Sequence, residues 1–139
     1  MTLLDMKKLV LAQMGEDTGQ PELDEYGELI GAYINEAYMQ VCRHKKQKFA
    51  EQTLSFAEGR ALLSTLTQQA IVILSVTDEN DAKLAFDVLA DMIFLPGDIS
   101  GTYTVQYLYL PERLTQDTDT PDLAEQDCML LCDFATYRS

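Results

Sequence analysis

The chain has 139 residues, of which 47% are hydrophobic, and it carries 23 acidic and 10 basic side chains for a net charge of −13. A chain of this length fits one domain and can bury roughly two-thirds of its unfolded surface, so disorder is not expected. Its longest apolar run, residues 70–74, is far shorter than the about 20 residues of a membrane helix. Charged side chains within the first fourteen residues argue against a signal peptide and favour a cytosolic protein.

The charge is unevenly distributed along the chain. Residues 1–48 contain six basic and eight acidic side chains, whereas residues 49–139 contain four and fifteen. Lys and Arg hold a phosphate backbone by replacing its counterions, so this acidic excess disfavours specific binding of nucleic acid. The excess fits a solubilising surface or a surface past which DNA slides without binding. DNA mimicry is a third, rarer interpretation.

Two helices are predicted at the start of the chain. The first covers residues 2–14, with Thr2 as its cap and Gly15 as its end. Pro21 opens a longer helix over residues 21–45, acidic at its start and basic at its end, as the helix dipole favours. An apolar stripe keeps the helical period throughout the longer helix. Its members are Leu23, Tyr26, Leu29, Ile30, Tyr33, Ile34, Ala37, Tyr38 and Val41.

Two glycines in the longer helix, Gly27 and Gly31, lie four residues apart on one helical face. They either allow a neighbouring helix to pack closely or are simply tolerated there.

The region 48–110 changes to the two-residue period of β-strands. Strands are predicted over 49–56, 70–76, 83–89, 91–95 and 103–110, with a turn over 77–81. Residues 59–66 fit either a strand or a short helix. In the last strand an aromatic ladder on one face is suited to packing on a helix or a partner subunit. The ladder consists of Tyr103, Val105, Tyr107 and Tyr109.

Two prolines bracket an acidic linker after the last strand. Pro111 stops the strand because it has no N–H to donate. Asp119 or Thr120 is then predicted to cap a final helix over residues 119–139, with Pro121 at its first position.

These elements predict an α+β fold in a single domain, residues 1–139. An N-terminal helical hairpin (1–46) and a C-terminal helix (119–139) are expected to pack with a small antiparallel β region (48–110).

Known catalytic and metal-binding motifs do not fit the sequence. Asp117, Asp119 and Asp122 resemble the opening of a calcium loop, but the loop's glycine and final glutamate are missing. The lone His44 lies in a basic run, 43–48, which we interpret as cations at a helix end rather than a nucleic-acid site. No catalytic residue, metal or cofactor is therefore predicted.

The three cysteines are Cys42, Cys128 and Cys132. Their odd number and the lack of a Cys-x-x-Cys pair indicate neither a disulfide framework nor a zinc cluster. We expect them to be small buried hydrophobic groups.

Two segments together resemble a known family. They are Leu29-Ile-Gly-Ala-Tyr-Ile-Asn-Glu-Ala-Tyr38 and Tyr107-x-Tyr-x-Pro-x-x-Leu-Thr-x-Asp-x-Asp-x-Pro-x-Leu123, separated by a small β region. The pattern is similar to that of head–tail connector (adaptor) proteins of tailed bacteriophages and prophages. It covers most of the chain in order and is closest in the N-terminal helix and in residues 103–135.

The resemblance implies a structural virion protein rather than an enzyme. Such a protein forms a homo-oligomeric ring, contacts the portal protein and tail or neck proteins, and extends the DNA channel without binding DNA specifically. It would be found in the host cytoplasm during assembly and then in the virion neck, away from membranes. The implied structural or interface positions are Tyr26, Tyr33, Tyr38, Tyr103, Tyr107, Tyr109, Asp117 and Asp119. The alternatives are another neck or tail-completion protein, an acidic DNA mimic that blocks a nuclease, and a small enzyme.

Overall fold

The computed structural model describes residues 1–45 and 47–138 and has the predicted α+β fold. Its contacts group the chain into two compact units. The helical unit consists of residues 1–42 and 112–139, and the β unit consists of residues 43–111. The β unit is thus inserted in the chain between the two parts of the helical unit. The two units are described separately below.

The described residues form three helices, seven strands and one short 3-10 helix. In chain order they are α1 (Leu3–Gln13), α2 (Gln20–His44), β1 (Lys48–Phe56), β2 (Arg60–Leu62), the 3-10 helix (Leu63–Thr65), β3 (Gln69–Thr77), β4 (Lys83–Leu84), β5 (Asp87–Leu89), β6 (Met92–Phe94), β7 (Gly101–Leu110) and α3 (Glu125–Arg138).

Helix α1 has well-defined caps at both ends. Thr2 and Asp5 form a capping box, in which the N–H of each residue donates to the side chain of the other at 3.1 Å. At the C-terminus Gly15 has a φ of +81°, and its N–H donates to Ala12 O while the Glu16 N–H donates to Leu11 O. This pair of hydrogen bonds is a Schellman motif, which explains why the helix ends at the glycine as predicted.

Helix α2 begins at Gln20, one residue before the predicted start at Pro21. Its buried residues are Gly27, Ile30, Gly31, Ile34, Asn35, Ala37, Tyr38 and Cys42. The two glycines make room for α1, because the Lys7 side chain passes over them. A Cβ atom on Gly31 would lie 3.2 Å from Lys7 Cε, and one on Gly27 would lie 3.9 Å from Lys7 Cδ.

The core of the helical unit is built by all three helices and one residue of the acidic linker. Its buried members are Leu3, Met6, Val10, Leu11, Ile30, Ile34, Ala37, Tyr38, Cys42, Leu114, Cys128, Leu131, Cys132 and Ala135. Each fully buried aliphatic side chain contributes about 1.5–3 kcal/mol relative to an exposed one, so this core is the main stabilising feature of the unit.

The β unit contains two antiparallel sheets. The larger has the strand order β1-β7-β3-β4, and the smaller has the order β2-β6-β5. Side chains from both sheets form one core, which contains Leu54, Phe56, Ala61, Leu66, Ile73, Val76, Ile93, Leu95, Val105 and Tyr107. The aromatic face of β7 is directed into this core, with Tyr103 and Tyr109 packed at its margin.

Two predictions for the β region change. Residues 83–89 are not one strand: Lys83–Leu84 pairs with β3 in the larger sheet, whereas Asp87–Leu89 pairs with β6 in the smaller one. Residues 59–66, which fitted a strand or a helix, form both, because β2 runs directly into the 3-10 helix.

The predicted start of the last helix was wrong. Helix α3 begins at Glu125 rather than at residue 119, and Pro121 is buried in the linker instead of occupying the first helical position. The carboxylate of Asp119 faces the residues before it rather than those after it, so it cannot cap α3. Ser139, the end of the predicted helix, lies outside the described residues.

Candidate functional site

The acidic linker, residues 112–124, is held against the helical unit by hydrogen bonds along its length. The Asn35 side chain binds both backbone groups of Leu114: Nδ2 donates to Leu114 O and Oδ1 accepts from Leu114 N–H, each at 2.8 Å. Asn35 is 8% exposed and Leu114 is 6% exposed. Since unpaired polar groups are costly to bury, this pair of hydrogen bonds fixes the position of the first residues of the linker.

The middle of the linker caps α1. Leu3 N–H donates to Asp119 O at 2.8 Å, and Leu4 N–H donates to Asp117 O at 3.1 Å. With the bonds from Asp5 and Met6 to Thr2, the first four N–H groups of α1 all have acceptors. The linker was predicted to begin the last helix. Its backbone carbonyl oxygens instead accept hydrogen bonds from the N-terminus of α1.

Two of the linker carboxylates, those of Asp117 and Asp119, have structural partners. Asp119 Oδ2 accepts from the N–H groups of Thr115 and Gln116, each at 2.8 Å, and these bonds hold the pKa of its carboxyl below the usual value. Asp117 Oδ1 lies 3.1 Å from Lys7 Nζ. The Lys7 side chain is 16% exposed and that of Asp117 is 56% exposed. Because the carboxylate is open to solvent, the pair is worth about 1 kcal/mol at most and mainly orients Lys7.

Within the described residues, no group of three or more His, Cys, Asp or Glu side chains is placed to hold a metal ion. The resemblance of Asp117, Asp119 and Asp122 to a calcium loop is thus explained by local structure. Two of these aspartates are used in a turn and an ion pair, and Asp122 N–H donates to Tyr38 Oη at 2.9 Å.

The three cysteines are buried in the helical core, as predicted, with exposed fractions of 2% or less. Burial raises the pKa of the Cys132 thiol to about 12 and also raises that of Cys128. Cys132 Sγ contacts the Met6 carbonyl oxygen at 3.9 Å. Such thiols stay protonated at neutral pH and have a packing role.

Two of the six tyrosines predicted at interfaces are core residues. Tyr38 is 2% exposed, and its burial raises the pKa of its phenol. Tyr107 is 1% exposed, and its hydroxyl lies 3.4 Å from Gln52 Oε1. Their side chains are already covered by their own units, which leaves almost no surface for a partner.

The other four tyrosines are partly exposed. Tyr103 makes an edge-to-face contact with Phe56 at a centroid distance of 5.6 Å, and Tyr109 lies against Tyr107 at 6.3 Å. Tyr33 is covered by the Arg138 guanidinium, 5.3 Å from its ring centre.

Tyr26 has an acidic environment. The negative charges of Glu25 and Glu16 raise the pKa of its phenol. A role for Tyr26, Tyr33, Tyr103 and Tyr109 at an interface stays a prediction.

The structure also identifies exposed apolar side chains that strand alternation alone did not single out. Phe49, Leu108 and Val72 are paired across β1, β7 and β3, so they lie in one row on one face of the larger sheet. Phe49 is 55% exposed and Val72 is 45% exposed.

A second row crosses the smaller sheet and contains Leu62, Met92 and Leu89. Leu89 is 69% exposed. Pairing register was the missing information, since it decides which residues become neighbours across strands.

The two units differ in net charge. The helical unit contains fifteen acidic and four basic side chains, a net charge of −11, whereas the β unit contains eight and six, a net charge of −2. Both counts include every residue of each unit. Most of the net negative charge therefore belongs to the helical unit, including its acidic linker.

Comparison with known proteins gives no assignment: no protein-family model matches the chain, and no curated protein is significantly similar to it. No helix among residues 1–45 and 47–138 is long and apolar enough to span a lipid bilayer.

Proposed function

We propose that this chain is a structural protein of a tailed bacteriophage or prophage, a head–tail connector. In this role copies of the chain form a ring that joins the portal to the tail and extends the DNA channel. The proposed partners are other copies, the portal protein, and tail or neck proteins. The protein would act in the host cytoplasm during assembly and in the virion neck afterwards.

The observation that carries the proposal is the segment Tyr107–Leu123, whose residue order resembles that of connector proteins. In the fold this segment includes the end of β7 and most of the acidic linker, which is fixed by Asn35, Tyr38 and the start of α1. Leu114, Asp117 and Asp119 of this segment have partners within the chain.

The charge distribution supports the same proposal. A helical surface with a net charge of −11 repels a phosphate backbone, because tight binding of DNA requires Lys and Arg to replace counterions. A channel lined by this surface would let DNA pass without holding it. An acidic DNA mimic would use the same charge differently, by occupying a nuclease.

The test is to purify the chain alone and together with the portal protein of the same genome, and to measure mass by light scattering and shape by electron microscopy. The proposal expects closed rings, either alone at high concentration or when the portal is added. A chain that stays monomeric under both conditions would overturn it. Binding to tail proteins without the portal would favour another neck or tail-completion protein, and inhibition of a nuclease would favour the DNA mimic.

A further inference from the structure

Helix α2 has oppositely charged ends. Between residues 9 and 42 the chain has no Lys or Arg, but its acidic residues there are Glu16, Asp17, Glu22, Asp24, Glu25, Glu28 and Glu36. The four basic residues that follow are Arg43, Lys45, Lys46 and Lys48, with no acidic residue before Glu51. Lys46 lies outside the described residues.

The acidic patch is one continuous exposed face of α2. It consists of Glu25, Glu28, Leu29 and Ala32, spaced as neighbours on a helix surface, and all four are exposed. Leu29 is 54% exposed, which places a large apolar side chain among the carboxylates. Among the described residues, neither Glu25 nor Glu28 forms an ion pair with Lys or Arg. The patch thus combines unneutralised charge with an apolar contact point.

The basic end has the complementary composition. It consists of Arg43, His44 and Lys45, all exposed, followed in the chain by Phe49, which is 55% exposed. In the part of the chain that the structure describes, Arg43 and Lys45 form no ion pair. Gln47 Nε2 donates to the Arg43 carbonyl oxygen at 3.1 Å, so part of the helix-capping role falls to an uncharged side chain.

The acidic patch and Arg43 are far apart along α2. Glu28 and Arg43 are fifteen residues apart on the same helix, which corresponds to about 22 Å along its axis. That separation exceeds the Debye length of about 8 Å at physiological salt, so their attraction within the chain is largely screened. Their charges can be paired directly only by another molecule.

We propose that copies of this chain join head to tail, with the basic end of one copy (Arg43, Lys45 and Phe49) docking on the acidic patch of the next (Glu25, Glu28 and Leu29). Pairing acidic patch with acidic patch would oppose like charges, whereas pairing the basic end with the acidic patch brings opposite charges together. An antiparallel dimer would use the same charge pairs reciprocally, so a mass of only two chains by light scattering would overturn the head-to-tail arrangement. Phe49 and Leu29 supply the apolar centre that such a contact needs, and the charges form its rim. Head-to-tail contacts close into a ring when the rotation between neighbours divides a full turn. The inference therefore rests on the proposed function and names its subunit interface.

The experiment uses two charge-reversal variants of the full chain, R43E/K45E and E25K/E28K. Each should lower the assembled fraction at least about tenfold relative to the unchanged chain, because each opposes like charges in every contact. Mixing the two variants should restore assembly, since the reversed basic end of one fits the reversed acidic patch of the other. This rescue also shows that both variants are folded. Assembly of the unchanged chain should weaken as salt rises from about 0.05 M to about 0.5 M.

The matched control is E58K/E79K, which reverses two exposed glutamates of the β unit and should leave assembly unchanged. These residues follow the C-terminal ends of β1 and β3, whereas Phe49 lies at the start of β1. If the unchanged chain assembles and both charge-reversal variants assemble equally well, the inference is overturned while the proposed function stays intact. So would variants that assemble normally but lose binding to DNA or to the portal, because the basic end would then serve another partner. An unchanged chain that never assembles, alone or with a portal, would overturn both.

Discussion

The side chain of Asn35 binds both the N–H and the carbonyl oxygen of Leu114, 79 positions later in the chain, at 2.8 Å each. An asparagine can satisfy one donor and one acceptor of a backbone at once, so it replaces the partner strand or helix that the linker lacks. Both residues are buried, and water cannot substitute for the side chain.

Replacing Asn35 with alanine should therefore destabilise the helical unit by about 2–4 kcal/mol, because two buried backbone groups lose their partners. Urea unfolding followed by circular dichroism measures the change. Gln40→Ala, on the exposed side of the same helix, is the control and should cost less than about 0.5 kcal/mol. An equal loss of unfolding free energy in the two variants would show that the hydrogen bonds between Asn35 and Leu114 do not stabilise the unit.

Gly59 cannot accept a side chain. A Cβ atom there would lie 2.6 Å from the Leu95 carbonyl oxygen, and the residue has a φ of +76°. We expect Gly59→Ala to destabilise the β unit by at least about 3 kcal/mol, since the backbone at Leu95, directly after β6, must move. Gly15→Ala is the matched control. Its φ is +81° but nothing lies within 4 Å of the added Cβ, so only the conformational cost of about 1 kcal/mol applies. Thermal unfolding of both variants separates the cost of the close contact with Leu95 from the cost of the positive φ.

Asp119 should make the fold sensitive to acid. The N–H groups of Gln116 and Thr115 lower the pKa of its carboxyl in the folded state from the ordinary value of 3.8. The unfolded chain therefore binds its proton first, so the stabilisation is complete above about pH 4 and is lost as the pH falls through the lowered folded-state pKa.

The variant Asp119→Asn should accordingly show a smaller drop in melting temperature between about pH 6 and about pH 2.5 than the unchanged chain. Asp5, whose pKa is lowered by hydrogen bonds to Thr2, would keep part of the acid sensitivity. The control is Asp17→Asn, in the exposed loop after α1. If the melting temperature of Asp119→Asn falls as much as that of the unchanged chain, the Asp119 carboxylate does not contribute to the acid sensitivity.

Cys132 should be unreactive in the native protein. Its burial raises the pKa of the thiol to about 12, so little thiolate is present at pH 8 and reagents cannot reach it. Labelling with a disulfide reagent should be at least about 100-fold slower in the folded chain than in urea, limited by opening of the helical unit. Mass mapping of the labelled peptide identifies the residue, and fast native labelling of Cys132 would show that α3 is not packed as described.

The same burial has a consequence at alkaline pH. Because the folded-state pKa of Cys132 lies above the ordinary value of 9.0, the unfolded chain loses its proton first, and stability falls as the pH rises from 9.0 towards about 12. Cys132→Ala should reduce this alkaline loss in a pH series of melting temperatures.

Much of the local structure could be predicted from residue patterns. Thr2 and Gly15 marked both ends of α1 correctly, because capping depends on residues next to one another in the chain. The one-sided aromatic pattern of β7 was also confirmed, since strand alternation is a local property. The predicted helix start at Pro121 failed because its local signal competed with distant partners: Asp119 O is bound to Leu3 and Asp122 N–H to Tyr38.

The sequence alone determined the composition, the acidic excess, the α+β class and most element boundaries. Only the tertiary structure decided where the charge lies. By position in the chain, most of the negative charge falls after residue 48, yet in the fold most of it belongs to the helical unit, because the acidic linker and α3 return to pack with α1 and α2. The fold likewise decided that Tyr38 and Tyr107 are core residues and that Phe49 and Leu29 are exposed. The physical reason is that burial depends on partners distant in sequence, which a local period cannot specify.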